Sequence, residues 1–110
     1  PYFAAPDRIQ GPIRAPIAAF RKAVDAAGIK PNAAAGYVWD ASSIALDALR
    51  QLGPSTTADQ IRSFIANLRG YAGINGVYDF RNNPQRGLDS RYATIVRWDE
   101  AQGTWIAATR

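Results

Sequence analysis

The sequence predicts an α/β protein in which three helices are followed by a β-hairpin. Three segments place apolar residues at helical spacing, and two short segments near the end alternate apolar and polar residues around a turn. The predicted helices span 16–27, 35–52 and 57–70, and the predicted strands span 92–98 and 104–107. With 110 residues, of which 47% are apolar, the chain is long enough for one modest core.

Periodicity and terminal residues support each helix. In the first helix, Ile17, Phe20 and Val24 recur near the 3.6-residue period, and Gly28 provides a stop. The second helix ends at Gly53-Pro54, and its apolar stripe of mostly small residues suits a closely packed neighbour: Val38, Ala41, Ala45, Ala48, Leu49 and Leu52.

The third helix begins with the spacing of a capping box, Thr57 followed by Gln60, and Gly70 is its expected stop. Beyond it, residues 73–80 are interrupted by glycines and then carry aromatic residues at alternate positions. Trp98 and Trp105 flank the turn of the final hairpin and are expected to face each other as packing residues.

The composition excludes several kinds of site. The chain has no cysteine and no histidine, so thiolate nucleophiles, Ser-His relays and imidazole metal sites are ruled out. No pair of carboxylates has a spacing that indicates acid-base chemistry. We therefore expect no enzymatic activity, no catalytic residue, no cofactor and no metal.

The net charge of +4 comes from 13 basic and 9 acidic residues, and nearly all the basic residues are arginines spread along the chain. Nucleic-acid-binding proteins instead tend to cluster basic residues on one face. We therefore expect no nucleic-acid partner, although a small basic α+β module for protein interaction or nucleic-acid binding remains the alternative.

The predicted elements need further structure to be stable. A two-stranded hairpin alone is marginal in water, and Tyr2-Phe3 has the character of a strand end that needs a neighbouring strand. The sequence contains no methionine, even at position 1. We expect the chain to be the closing part of a larger α/β protein.

Several stretches, taken in order, resemble the carboxy-terminal third of type 1 periplasmic solute-binding proteins, the branched-chain amino-acid and aromatic-acid receptors of ABC transporters. The strand end and proline crossover at 2–7 precede a glycine-ended helix at 20–28. Gly36-Tyr37-Val38-Trp39-Asp40-Ala41 then opens a long alanine-rich helix. A short capped helix, a glycine-aromatic stretch at 73–80 and two strands with Trp98 and Trp105 follow, so the resemblance covers nearly the whole chain.

The resemblance implies a carboxy-terminal fragment of a two-lobed periplasmic-binding-protein-like fold. Residues 1–8 would be a strand end and a crossover between the lobes, and 9–73 the helices of the first lobe. Residues 74–89 would be a second crossover, and 90–110 the terminal strands of the second lobe. Val38 and Ala41 would then turn inward against the sheet of the first lobe.

The resemblance also implies a ligand-binding cleft between the lobes, with Tyr37, Trp39 and Asp40 as its candidate residues here. Tyr37 would pack its ring on the ligand, and Asp40 would accept a hydrogen bond from a ligand amine or hold an arginine across the cleft. The structural alternatives are that both aromatic residues belong to the core and that Asp40 is a first-turn carboxylate favoured by the helix dipole. Tyr78, Asp79 and Phe80 can reach the cleft edge, although a buried strand explains them equally well.

The partners implied are a small-molecule ligand (an amino acid or an aromatic acid), an ABC permease in the membrane and the amino-terminal remainder of the same receptor. The location implied is periplasmic or extracellular. Self-association of the isolated chain is also possible, because its strands leave open edges.

Overall fold

The computed structural model describes residues 11–108, and in that range it contains three helices and two small antiparallel hairpins. The mixed helix and sheet composition predicted from the sequence is confirmed, whereas the strand end expected at Tyr2-Phe3 lies outside the described residues. The elements in chain order are α1 (Arg14–Ala26), α2 (Ala33–Leu52), α3 (Ala58–Asn67), β1 (Arg69–Ala72), β2 (Val77–Asp79), β3 (Val96–Asp99) and β4 (Thr104–Ala107).

The apolar core lies between α1 and the turn that joins β1 to β2. A short 3₁₀ turn, Gly11–Ile13, leads into α1, which buries the predicted apolar face. Partly buried Ala35 and Trp39 of α2 and Val77 of β2 pack against this core. The buried apolar residues of the core are Ile13, Ile17, Phe20, Val24 and Ile74.

Helix α2 begins two residues earlier than predicted, because the Asn32 side chain caps it by accepting a 3.0 Å hydrogen bond from the Ala35 N–H. Asp40 is therefore the eighth residue of the helix, and α2 has no acidic residue in its first turn. The alternative that Asp40 is a first-turn carboxylate is wrong.

The buried face of α2 also differs from the predicted stripe. Val38 is 65% exposed, and Leu49 and Leu52 are exposed as well, so of that stripe only Ala48 is buried. Within the described residues Val38 and Ala41 are exposed, and their packing against the sheet of the first lobe stays a prediction. Buried polar contacts turn a different face of the helix inward, and this face consists of Gly36, Asp40, Ile44 and Ala48.

Helix α3 has the predicted capping box. The Gln60 N–H donates to the Thr57 hydroxyl, and the Thr57 N–H donates to the Gln60 side-chain oxygen at 2.8 Å. The helix ends at Asn67 rather than at Gly70, because residues 69–72 leave it to form β1. Gly70, with a φ of 70°, lies at a bulge in that strand, where glycine adopts a left-handed conformation at little cost.

The β1–β2 hairpin was not predicted from the sequence. Tyr71 pairs with Tyr78 and Ala72 with Val77, and the Gly73 N–H donates to the Gly76 carbonyl at 2.9 Å to close the turn. The four-residue turn 73–76 places Ile74 in the core and Asn75 next to α2.

The predicted carboxy-terminal hairpin is confirmed as β3–β4. Trp98 pairs with Trp105, and their rings meet edge to face with centroids 5.4 Å apart. The first strand begins at Val96 rather than at residue 92, because Ser90–Tyr92 forms a 3₁₀ turn capped by the Asp89 carboxylate. Within the described residues, each hairpin is a separate two-stranded sheet.

Candidate functional site

The most elaborate polar arrangement in the described part of the chain centres on Asp40, which is 1% exposed. Its Oδ1 accepts a 2.8 Å hydrogen bond from the Ile74 N–H, and its Oδ2 accepts bonds from the Asn75 N–H at 3.0 Å, the Asn75 side-chain amide at 2.8 Å and the Tyr78 hydroxyl at 2.9 Å. Burying a carboxylate is costly unless donors replace its water shell. These four neutral donors therefore make the burial of Asp40 possible, and they attach the hairpin to α2.

The approach of the hairpin to α2 requires glycine at position 73. A Cβ added to Gly73 would lie 2.6 Å from Oδ2 of Asp40, far inside van der Waals contact. The Asn75 side-chain amide also donates to the Gly36 carbonyl at 3.0 Å. The turn is thus bonded to both the backbone and the side chain of α2, and we call Gly36, Asp40, Gly73, Asn75 and Tyr78 the Asp40 junction.

The Tyr78 hydroxyl is held in its protonated, donating form. Burial has the largest effect, and together with the charge of Asp40 and the hydrogen bond to it, it raises the pKa of Tyr78. Burial also raises the pKa of Tyr71 on the paired strand, with a further contribution from Asp47. The junction therefore keeps its full set of donors through the neutral pH range.

The three residues predicted to contact a ligand occupy different environments. Tyr37 is 66% exposed, whereas Asp40 is fully engaged by the junction. Trp39 is partly buried, and its ring meets Phe20 edge to face at 5.1 Å. Of the three, Tyr37 offers the most side-chain surface to a ligand, and the other two fix the helix that carries it.

A polar cleft of about 550 Å³ lies between the β1–β2 hairpin and the segment that follows it. Two ion pairs line it, Arg69 with Asp79 at 3.7 Å and Arg91 with Asp89 at 2.6 Å. The backbone N–H of Asn82 is the main cause that lowers the pKa of Asp79. Asp79 thus borders this cleft with its charge balanced by neighbours. Its expected place at the edge of the cleft between the lobes stays a prediction.

Two apolar surfaces are left uncovered within residues 11–108. One is the outer face of α2, which we define as Val38, Ala41, Leu49 and Leu52. The other is the β3–β4 hairpin, where Ile95, Val96, Trp98 and Trp105 are exposed. Soluble monomers rarely leave contiguous apolar patches of this kind, and such patches commonly mark contact with other structure.

Among residues 11–108, no three carboxylate, histidine or cysteine side chains are grouped closely enough to hold a metal ion. None of the helices described is both long and apolar enough to span a membrane.

Comparison of the chain with protein-family models, with curated proteins and with solved structures found no match.

Residue patterns in the sequence do not identify Asn75 and Tyr78 as partners of Asp40. The position of Asp40 does indicate that its carboxylate is buried. Residues 36, 40, 44 and 48 share one face of a helix, and the three of them other than Asp40 are small or apolar. A single acid on such a face predicts a buried carboxylate with donors from another element.

Proposed function

We propose that this chain forms part of an extracytoplasmic solute-binding receptor of an ABC importer, with an amino acid or a small aromatic carboxylate as ligand. Its three helices belong to one lobe, its terminal strands belong to the other, and a membrane permease receives the ligand. The observation that carries the proposal is the placement of Tyr37. Its ring is exposed, and the helix that carries it is fixed by the Asp40 junction about one turn further along the chain.

An aromatic side chain on a fixed helix suits ligand binding because the backbone that carries it does not have to become ordered when the ligand arrives. Tyr37 and Asp40 are three residues apart and so lie on neighbouring parts of the α2 surface. Because four donors hold Asp40, the α2 backbone that carries Tyr37 is held in place. We assign the ligand contact to Tyr37 and a positioning role to Asp40 and Trp39.

The uncovered apolar surfaces support a partner that supplies a sheet. In α/β proteins, helices bury one apolar face against a sheet, yet the residues of the outer face of α2 remain exposed within the described residues. The amino-terminal remainder of the same receptor is the partner that would cover it. An isolated chain would instead bury these surfaces by association with a second copy.

The ion pairs in the described residues give no support to the alternative, a nucleic-acid-binding module. Four arginines are neutralised by nearby carboxylates, Arg50 by Asp47, Arg62 by Asp59, Arg69 by Asp79 and Arg91 by Asp89. Phosphate binding relies on cations that are available to the backbone of a nucleic acid.

To test the proposal, the coding sequence immediately upstream of Pro1 is determined, and the full-length protein that it encodes is expressed. The proposal expects a leader peptide and roughly 250 further residues with alternating strand and helix patterns, about the length that two full lobes need. The expressed protein is then screened by thermal shift against amino acids and aromatic carboxylates, and at least one should raise its melting temperature. An initiator codon directly before Pro1 would overturn the proposal, as would a full-length protein that none of these ligands stabilises.

A further inference from the structure

The turn of the β1–β2 hairpin contains a dipeptide with distinctive chemistry. Of the five asparagines in the sequence, Asn75 alone is followed by glycine. A glycine in this position leaves its backbone nitrogen unhindered and conformationally free to attack the asparagine side chain. In the unfolded chain, Asn75-Gly76 is therefore the site most prone to deamidation.

We propose that Asn75 is a deamidation site that the Asp40 junction keeps closed, and that reaction in the opened state prevents the chain from regaining its native fold. The Gly76 backbone nitrogen loses its proton and bonds to Cγ of Asn75, while the Cγ–Nδ2 bond breaks and ammonia leaves. Water then opens the resulting succinimide at either carbonyl, which gives aspartate or isoaspartate.

The native contacts of Asn75 oppose the first step. The side chain is 8% exposed, and its amide nitrogen donates to the Gly36 carbonyl at 3.0 Å and to Asp40 Oδ2 at 2.8 Å. Rotation of Cγ toward the Gly76 nitrogen would break both bonds and leave buried polar groups without partners.

The next residue is equally confined. A Cβ at Gly76 would lie 2.5 Å from the Tyr92 ring, so the turn is also packed closely against Tyr92. The turn therefore has little room in which to rearrange, and attack requires the hairpin to open. Local opening of this kind has its own free energy, which sets the population of the reactive state.

The product does not fit the site from which it came. Aspartate at position 75 would replace a donor by an oxygen where the native amide lies 2.8 Å from Asp40 Oδ2. Two carboxylates would then share one buried site, and the Gly36 carbonyl would lose its side-chain donor. Isoaspartate would also add a methylene to the main chain inside a four-residue turn. Each opening that ends in reaction thus removes a molecule from the native population.

To test the proposal, the purified chain is incubated at mildly alkaline pH in buffer and in concentrated urea. The deamidated fraction at Asn75 is followed by peptide mass mapping. We expect Asn75 to react at least about tenfold more slowly in buffer, the ratio that an opening free energy of about 1.4 kcal/mol produces. At intermediate urea concentrations, the rate should rise with the opened fraction measured by circular dichroism. Equal rates at Asn75 in buffer and in urea would overturn the proposal.

Two variants test the consequence separately. Asn75→Asp mimics one product. Asn67→Asp introduces the same charge at an exposed position near the end of α3, where it removes only a solvent-exposed hydrogen bond from the Asn67 side-chain amide to the Ser63 carbonyl. We expect Asn75→Asp to lose the urea transition, or to shift it strongly to lower concentration, while Asn67→Asp stays close to the parent. Equal midpoints for the two variants would show that the product fits the fold, and the proposed irreversibility would then be wrong.

Discussion

The Tyr78 hydroxyl donates a 2.9 Å hydrogen bond to Oδ2 of Asp40, and both residues are buried although 38 positions separate them in the chain. Through this bond and the three others to Asp40, the β1–β2 hairpin is held on α2. A two-stranded hairpin has little stability of its own in water. The hairpin therefore depends on one carboxylate of α2, which lies 34 to 38 positions before the residues that bind it.

Replacement of this carboxylate should be severely destabilising. Asp40→Ala leaves four buried donors without an acceptor, and we expect it to lower the free energy of unfolding by about 3 kcal/mol or more. Urea denaturation followed by circular dichroism measures the change. The matched control is Asp59→Ala, which removes an exposed ion pair with Arg62 and should cost less than about 1 kcal/mol. Similar midpoints for the two variants would refute the role assigned to Asp40.

Alkaline pH should weaken the fold through Tyr78. Its pKa is raised in the folded state above the ordinary value of 10.0, so the unfolded chain loses this proton first as pH rises. The unfolded state then binds fewer protons than the native state, and the free energy of unfolding falls as pH rises past 10.0. Urea midpoints measured across this range should decline in the parent protein. The decline should be shallower in Tyr78→Phe, and an equal decline in both proteins would exclude this tyrosine as the cause.

Gly73→Ala tests how closely the hairpin approaches α2. The added Cβ would lie 2.6 Å from the Asp40 carboxylate, and because four donors hold that carboxylate, moving it means breaking hydrogen bonds. We expect a loss of about 2 to 3 kcal/mol in the free energy of unfolding. Gly103→Ala is the control, since a Cβ there meets nothing within 4 Å and adds only the strain of a φ of 60°, about 1 kcal/mol. A cost at Gly73 no larger than that at Gly103 would contradict this packing.

Nucleic-acid binding should be weak and easily removed by salt. With four of the described arginines paired to carboxylates, we expect dissociation constants no tighter than the nonspecific range, about 10⁻⁴ to 10⁻⁶ M at physiological salt. Fluorescence anisotropy with duplex and single-stranded oligonucleotides at several salt concentrations measures this. A sequence-selective complex that persists at elevated salt would favour the alternative function.

The local features of the fold could be predicted from the sequence because the residues that cause them are close together in the chain. The Thr57–Gln60 capping box and the facing Trp98–Trp105 pair are determined by short-range spacing, and both are present. Strand β1 could not be predicted in this way. Its four residues, 69–72, do not alternate, and a glycine bulge interrupts them.

The orientation of α2 could not be predicted from periodicity alone, because two of its faces are rich in small or apolar residues. The sequence pattern predicts burial of the face with more aliphatic residues, yet the helix turns Asp40 inward. The deciding interactions come from Ile74, Asn75 and Tyr78. The single acid on its helix face indicates that Asp40 needs buried donors, but no local pattern shows which residues supply them. For the candidate site, the sequence pattern pointed to α2 and to Tyr37, Trp39 and Asp40. It did not show that Tyr37 is exposed while Trp39 and Asp40 are packed against the rest of the chain.

The most direct test of the receptor proposal is a pair of measurements on Tyr37→Ala in the full-length protein: the affinity for the ligand found by thermal shift, and the urea midpoint. Because Tyr37 is 66% exposed, we expect the midpoint to change little. The affinity should fall by about 1 to 3 kcal/mol, the range for a lost aromatic contact in a binding site. Tyr37→Phe keeps the ring and should retain most of the affinity. An unchanged affinity in Tyr37→Ala would contradict the ligand contact assigned to Tyr37. So would a lower urea midpoint that corresponds to a loss of roughly 3 to 5 kcal/mol in the free energy of unfolding, the cost typical of a truncated core aromatic residue.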